Sequence, residues 1–301
     1  MKKVRNMKSS HWLRVAVVVF LLLFVCVYCR FETTSAAEKY TKVRTLKKKK
    51  SYRLDLNGGK KETVRYQIKK VKNKYGEYDH IFQLYVNGKR AYQKRFSDTW
   101  YSIDRVRYLD IKKSDRYKEL ILDISGSESN WSVMVLRYYN AKKIKTYRSS
   151  NWRISTDGIR NTGNNRFYLE DDTPFYSNTF GCYYVRMPSK LAGNKIRPVK
   201  QSTYQLMNVS DYVKNVFGGK YYVLNRPMEF YPAAKRKNAK DTLYYGTEFT
   251  PQQIKPTGRK ANGLYNLFVK VKLRDGRKGW LYFPADKADG WEYLTQMPGW
   301  G

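Results

Sequence analysis

Apolar and polar residues alternate with a period of two along most of this chain. The clearest case is "YNLFVKVKL" (265–273), where Leu267, Val269, Val271 and Leu273 alternate with Phe268, Lys270 and Lys272. Such a period gives a strand one apolar and one mostly basic face, as expected in a half-buried antiparallel sheet. "HIFQLYV" (80–86) runs into Asn87-Gly88 and then "KRAYQK", the signal of a two-residue hairpin. "KELILDIS" (118–125), "WSVMVLRYYN" (131–140) and "RFYLED" (166–171) predict further strands, and "SKLAGNK" (189–195) a turn around Gly193. Five more strands are predicted within 221–283, in "YYVL", "MEFYPA", "TEFTPQQIKP", "YNLFVKVKL" and "KGWLYF", the last two folded together by Asp275-Gly276. Only "QSTYQLMNVSDYVKNV" (201–216) reads as a short helix, capped by Ser210 or Asp211. The resulting expectation is an all-β chain. An antiparallel β domain occupies 38–200, a linker 201–218, a small β unit 219–286 and a tail 287–301.

The first domain carries an internal repeat. "LDLNGGKKETVRYQI" (54–68) and "LDIKKSDRYKELILDI" (109–124) share a turn-rich loop, a glutamate (Glu62, Glu119) and an apolar strand. "STDGIRNTGNNRFYLE" (155–170) keeps the turn and strand without the glutamate. The spacing of ~50–57 residues approaches that of a four-stranded propeller blade. This segment resembles the integrin-type or FG-GAP-like repeats of bacterial surface proteins, whose Asp-rich loops often bind calcium. The matching positions are Asp55, Asn57 and Gly59, then Asp110, Lys112 and Ser114. A lysine in a coordinating loop opposes an oxygen-ligand calcium site, so the resemblance implies a shape and no metal. Three blades are too few to close a propeller, so a propeller-like domain and a sandwich are both admissible.

Charge narrows the partners. Of 301 residues, 60 are Lys or Arg and 25 Asp or Glu, a formal net charge of +35. That field attracts polyanions such as nucleic acid, anionic lipid or anionic wall polymers. The N-terminus selects among them: Lys2, Lys3, Arg5, Lys8 and Arg14 precede an uncharged apolar run over 15–29, and Ser35-Ala36-Ala37 follows. The run suits a secretory signal over 1–37, cut after Ala37, with an uncleaved membrane anchor through 15–29 as the alternative. Val25 and Tyr28 precede Cys26 and Cys29 where a lipoprotein signal needs small residues. Six basic residues and one acidic residue lie in 1–37, so the remainder still carries 54 against 24, a net of +30. Export makes nucleic acid an unexpected partner and places the chain in the cell envelope or outside the cell.

The C-terminal unit resembles the bacterial SH3-type domain. The features that carry this are a first strand, a long basic loop (233–241), Gly246-Thr247 at a strand entry, and the closing hairpin "VKLRDGRKGW". The resemblance covers about 65 residues and implies a small barrel that binds peptidoglycan or a peptide. Trp280 then has two readings: it packs the core, or it lines a shallow groove with Tyr222, Tyr231 and Tyr282. The basic loop with Lys235, Arg236 and Lys237 is the candidate contact for a polyanion.

Catalytic chemistry has little material. Beyond the leader only His80 and Cys182 remain of their kinds. "FGCYYVRM" reads as a buried strand cysteine, and two such residues cannot build a His/Cys zinc site. Glu170, Asp171 and Asp172 are adjacent, which rarely places carboxyls on opposite sides of a scissile bond, and read as a loop neutralising nearby cations. Basic clusters at 47–50, 69–70, 142–143 and 235–237 lie among tyrosines, a mixture suited to glycopolymers and equally to any exposed strand-rich surface. The expectation is a non-enzymatic, cofactor-free and metal-free envelope protein, with a surface carbohydrate-active enzyme that uses carboxylates of the first domain as an alternative. Its partner is peptidoglycan, an anionic wall polymer, or a protein at the envelope.

Overall fold

A computed structural model describes residues 40–97, 101–126, 131–149, 154–207, 221–260, 262–285 and 292–295. The signal or anchor expected over 1–37 lies outside these residues. So do 208–218 of the expected linker and most of the tail over 287–301. The described residues are all-β, with twenty strands and no α-helix. No described helix is long and apolar enough to cross a membrane.

Three antiparallel meanders come first. Strands β2 (Tyr52–Leu54), β3 (Glu62–Lys72), β4 (Tyr78–Val86) and β5 (Lys89–Phe96) form a separate four-stranded sheet. Asn87 and Gly88 turn β4 into β5 with φ of 52° and 79°, the left-handed pair a two-residue hairpin requires. Strands β6 (Ser102–Leu109), β7 (Glu119–Ser125), β8 (Trp131–Asn140) and β9 (Lys143–Ser149) make the second meander, with β1 (Arg44–Leu46) on its β6 edge. The third comprises β10 (Ile154–Asn161), β11 (Phe167–Asp172), β12 (Tyr184–Ala192) and β13 (Lys195–Pro198). It meets the second through a two-residue parallel pairing of β13 with β9.

The remaining strands continue the third meander. β14 (Tyr204–Met207) pairs with β12, and β18 (Glu248–Arg259) pairs with β14. β19 (Tyr265–Leu273) and β20 (Lys278–Phe283) extend the sheet, while β15 (Tyr222–Val223) adds to β18. A short hairpin of β16 (Met228–Phe230) and β17 (Asp241–Leu243) stands beside β20. The result is one 14-stranded sheet and two smaller ones, and no barrel closes among the described residues.

Three apolar cores hold these layers. The first joins Leu54, Val64, Phe82 and Leu84 to Val106, Leu120, Leu122 and Leu136. The second joins Ile111, Ile121, Val133 and Val135 to Ile159, Phe167 and Leu169. Strand β7 faces both, Leu120 and Leu122 one way and Ile121 the other, which accounts for its unbroken apolar run. The third joins Phe180, Val185, Met187 and Tyr204 to Phe249, Ile254, Val269, Leu281 and Phe283, so residues on both sides of 208–218 share it.

The repeat has a structural basis. The Glu62 carboxylate accepts the Leu56 N–H at 3.0 Å, and Glu119 accepts the Ile111 N–H at 3.0 Å. In the third repeat Arg166 replaces the glutamate and its carbonyl takes the Thr162 N–H at 3.1 Å. The loops are stitched in series: the Lys118 N–H reaches the Leu56 carbonyl at 3.1 Å, and the Asn165 N–H the Ile111 carbonyl at 2.8 Å. Asp55 is engaged by the Gly58 N–H at 2.7 Å and by Lys118 Nζ at 2.6 Å.

Three expectations are corrected. Within 201–216, Tyr204–Met207 is a strand and not part of a helix, because Tyr204 and Leu206 are buried with Gln205 exposed between them. Glu170, Asp171 and Asp172 form no loop: they lie in β11, all under one-tenth exposed. Cys182 precedes β12 and is half-buried, not a buried strand residue.

Candidate functional site

The strongest constellation lies on the face of β18–β20 turned away from the core. In β19 and β20 one parity, Leu267, Val269, Val271, Leu281 and Phe283, is fully buried. The other parity sets Phe268 opposite Tyr282 and Lys270 opposite Trp280. Trp280 and Tyr282 are half-buried on this outer face. Of the two readings of Trp280, core and surface, its parity selects the surface.

The loop after β16 closes over one side of this face. Tyr231 exchanges two backbone hydrogen bonds with Trp280, at 2.9 and 2.8 Å. So close an approach needs a residue without a side chain at 279. A Cβ on Gly279 would stand 2.5 Å from the Phe230 ring and 2.8 Å from the Tyr231 carbonyl oxygen. Further along the loop, the Arg236 guanidinium lies over the Tyr282 ring, 4.9 Å from its centroid. Tyr231 packs edge-on to Phe268 at 6.1 Å, and Phe268 against Tyr282 at 5.0 Å. Lys255 Nζ donates to the Ala234 carbonyl at 3.4 Å, tying the loop to β18. Arg277 bonds Asp241 at 2.8 Å and Asp275 at 2.7 Å, joining the β17 strand to the β19–β20 turn.

The electrostatics follow from these contacts. Burial pushes the Tyr231 hydroxyl up, and its hydrogen bond to Glu229 adds to this. Arg236 is raised chiefly by its hydrogen bond to Tyr231, so its charge persists across the whole accessible pH range. Arg277 holds Asp241 and Asp275 below the usual carboxylate range, with backbone N–H groups contributing to both.

The structure brings together Tyr231, Arg236, Trp280 and Tyr282, while Lys235 and Lys237 are exposed on the same loop. Tyr231 is only 3% exposed, so it supports the face from beneath. Tyr222 does not belong: it stacks on Phe249 and Phe180 inside the third core and is 2% exposed, with no ring face for a ligand. Sequence reasoning missed Phe268, Lys255 and Lys270 as members. The alternation in 267–273 was the signal for Phe268 and Lys270, since it put them opposite the apolar residues. Exposed aromatic rings beside fixed cations can stack on sugar or peptide planes while pairing with phosphate or carboxylate.

A second polar group lies between the second and third meanders. Asp123 is 4% exposed and accepts the Thr156 hydroxyl at 3.0 Å, while Arg105 pairs with Asp157. Burial raises Glu170, whose surroundings are Arg186, Arg105, Asp123 and Arg107. The Nε atoms of Arg107 and Arg186 are buried without hydrogen-bond partners. His80 lies on β4 in the four-stranded sheet and Cys182 before β12 in the other layer. Among the described residues no three His, Cys, Asp or Glu side chains cluster as metal ligands. No protein-family model, no curated protein and no solved structure matches this chain.

Proposed function

We propose that this chain is a non-catalytic binding protein of the bacterial cell envelope, whose SH3-type C-terminal region takes peptidoglycan or a peptide. The observation that carries the reading is the outer face of β19–β20, where Trp280 and Tyr282 lie beside Arg236 stacked on the Tyr282 ring. Aromatic and cationic surface in one place suits a ligand with both planar or sugar groups and negative charge. The net charge of +30 carried beyond residues 1–37, 54 basic against 24 acidic, adds long-range attraction to an anionic wall. In the N-terminal part, the meanders β2–β5, β6–β9 and β10–β13, with the glutamate contact common to the first two, support a propeller-like domain as the scaffold.

The test is co-sedimentation of the full chain with purified cell walls, with and without their anionic polymers, across a salt series. Trp280→Ala and Tyr282→Ala should each lower salt-resistant binding about tenfold or more, as expected for aromatic anchors. Binding that vanishes as salt rises, and is indifferent to Trp280→Ala, would leave charge alone as the cause and defeat the reading. Recovery of one stoichiometric protein partner at high salt, without wall binding, would replace it by a protein-interaction role.

A further inference from the structure

The aromatic face is one end of a longer feature. Directly paired residues of neighbouring strands share a face of a sheet. From β20 inward, Trp280 pairs with Lys270, Lys270 with Gln253, Gln253 with Gln205, Gln205 with Arg186 and Arg186 with Glu170. These six side chains form one unbroken row across β20, β19, β18, β14, β12 and β11. The row spans about 24 Å, five inter-strand spacings of ~4.8 Å. It lies opposite the third core, since the neighbouring parity, Leu281, Val269, Ile254, Tyr204 and Val185, is that core.

The chemistry of the row is graded. Trp280, Lys270 and Gln253 are half-buried, Gln205 is exposed, and Arg186 and Glu170 are 7% and 6% exposed. Arg186 donates to the Gln205 amide oxygen at 2.6 Å, so the buried inner end is tied to the exposed centre of the row. At the inner end the Nε donors of Arg186 and Arg107 are buried without partners. Buried guanidinium donors are costly to leave unmade. Lys272 and Lys278 pair with each other in the flanking row on the same face. Glu170 is the row's one carboxylate, and burial disfavours its charged form.

We infer that this row is a single binding track for a linear polyanion, entered at Trp280 and ending at Arg186, with a polyol-phosphate chain as the fitting ligand class. Charge complementarity selects that occupant: Lys270 stands beside Trp280, Arg186 closes the track, Lys272 and Lys278 flank it, and the Gln253 and Gln205 amides between them offer hydrogen bonds to hydroxyls. The inference rests on the reading of the Trp280 face as a binding surface and extends it to residues upstream of 208–218.

The test uses the full chain and glycerol-phosphate oligomers, a dimer and one long enough to cross the row, titrated by calorimetry at fixed salt. Gln205→Glu places a negative charge at the exposed centre of the track. Lys89→Gln, on the separate four-stranded sheet, removes the same net charge elsewhere. Gln205→Glu should weaken the long oligomer at least fivefold and leave the dimer unchanged, while Lys89→Gln should shift both alike by less than twofold. Gln253→Glu, one strand away, should reproduce the effect, and circular dichroism confirms that each variant is folded. Equal affinity of the long oligomer for Gln205→Glu and Lys89→Gln would overturn the track, even where Trp280→Ala still abolishes binding. Loss of neither ligand with Trp280→Ala would instead overturn the underlying reading of the face.

Discussion

Gly279→Ala should be among the most damaging small changes in this protein, although its backbone makes no demand for glycine. The added methyl would meet Phe230 Cε2 and Cζ at 2.5 Å and the Tyr231 carbonyl oxygen at 2.8 Å. Ordinary contacts lie near 3.5–4.0 Å, so something must retreat by about 1 Å. Phe230 is 2% exposed within the third core, and the Tyr231 carbonyl is held by the Trp280 N–H at 2.8 Å. Overpacking of this kind costs about 1–3 kcal/mol, and weakening the two Tyr231–Trp280 bonds adds about 1 kcal/mol. The sum, about 3 kcal/mol, lowers the melting temperature by roughly 2–4 °C per kcal/mol for a unit of this size. The comparison is Gly276→Ala. Gly276 has φ of +92° but nothing within 4 Å of an added Cβ, so it bears only the left-handed backbone cost of about 1–2 kcal/mol. Urea melts of both variants decide the order. Phe230→Leu should partly rescue Gly279→Ala, giving a double mutant less damaged than the sum. If Gly279→Ala costs less than Gly276→Ala, or Phe230→Leu brings no relief, the close approach of β20 to the loop is not what holds this site.

Burial pushes the Glu119 carboxyl from 4.5 up to about 7, so the folded chain holds this proton more tightly than the unfolded chain. Arg137, bonded to Glu119 at 2.7 Å, works against that burial, and the net contribution is fully present below about pH 4.5 and is lost as pH rises through about 7. Thermal melts from pH 4.5 to 8 should therefore lose a falling component in Glu119→Gln, and an unchanged slope would contradict this. Asn161→Ala should cost about 1–3 kcal/mol in urea melts, because it removes a fully buried amide that donates to the half-buried Asp110 carbonyl at 2.5 Å; a near-neutral result would mean water replaces the amide. Phe180→Ala should cost about 3–5 kcal/mol, since its ring contacts Tyr183, Tyr222 and Phe283. Unfolding followed by both near-ultraviolet dichroism and tryptophan fluorescence should shift as one transition; two separated transitions would contradict a shared core.

What was legible in advance was local. The 267–273 alternation, the Asn87-Gly88 turn and the Asp275-Gly276 turn each declare themselves within a few residues, because a half-buried strand and a left-handed turn constrain their own side chains. β14 did not declare itself. Of its four residues only Tyr204 and Leu206 join the third core, and its partner β18 lies some fifty residues on, so a polar string read as helix. Tyr222 was misplaced for a related reason. Its neighbours in sequence suggested a surface, while its ladder partner Phe249 put it in the core. Within the site, Trp280 and Tyr282 follow from parity with Leu281 and Phe283. Arg236 over Tyr282 does not, because a loop of ten residues carries no period to read.

The outer strand of the four-stranded sheet has a consequence for any experiment with polyanions. β5 bonds only to β4 among the described residues, and its sequence KRAYQKRF supplies Lys89, Arg90, Lys94 and Arg95 in eight positions. Mutual repulsion between such margins keeps two copies from joining backbone to backbone. A polymer that neutralises these cations removes that safeguard while leaving the unsatisfied amides in place. Turbidity should therefore peak near charge equivalence and clear again when polymer is in excess. An apparent gain in affinity measured close to that point would reflect clustering of the protein rather than recognition of the chain it was offered.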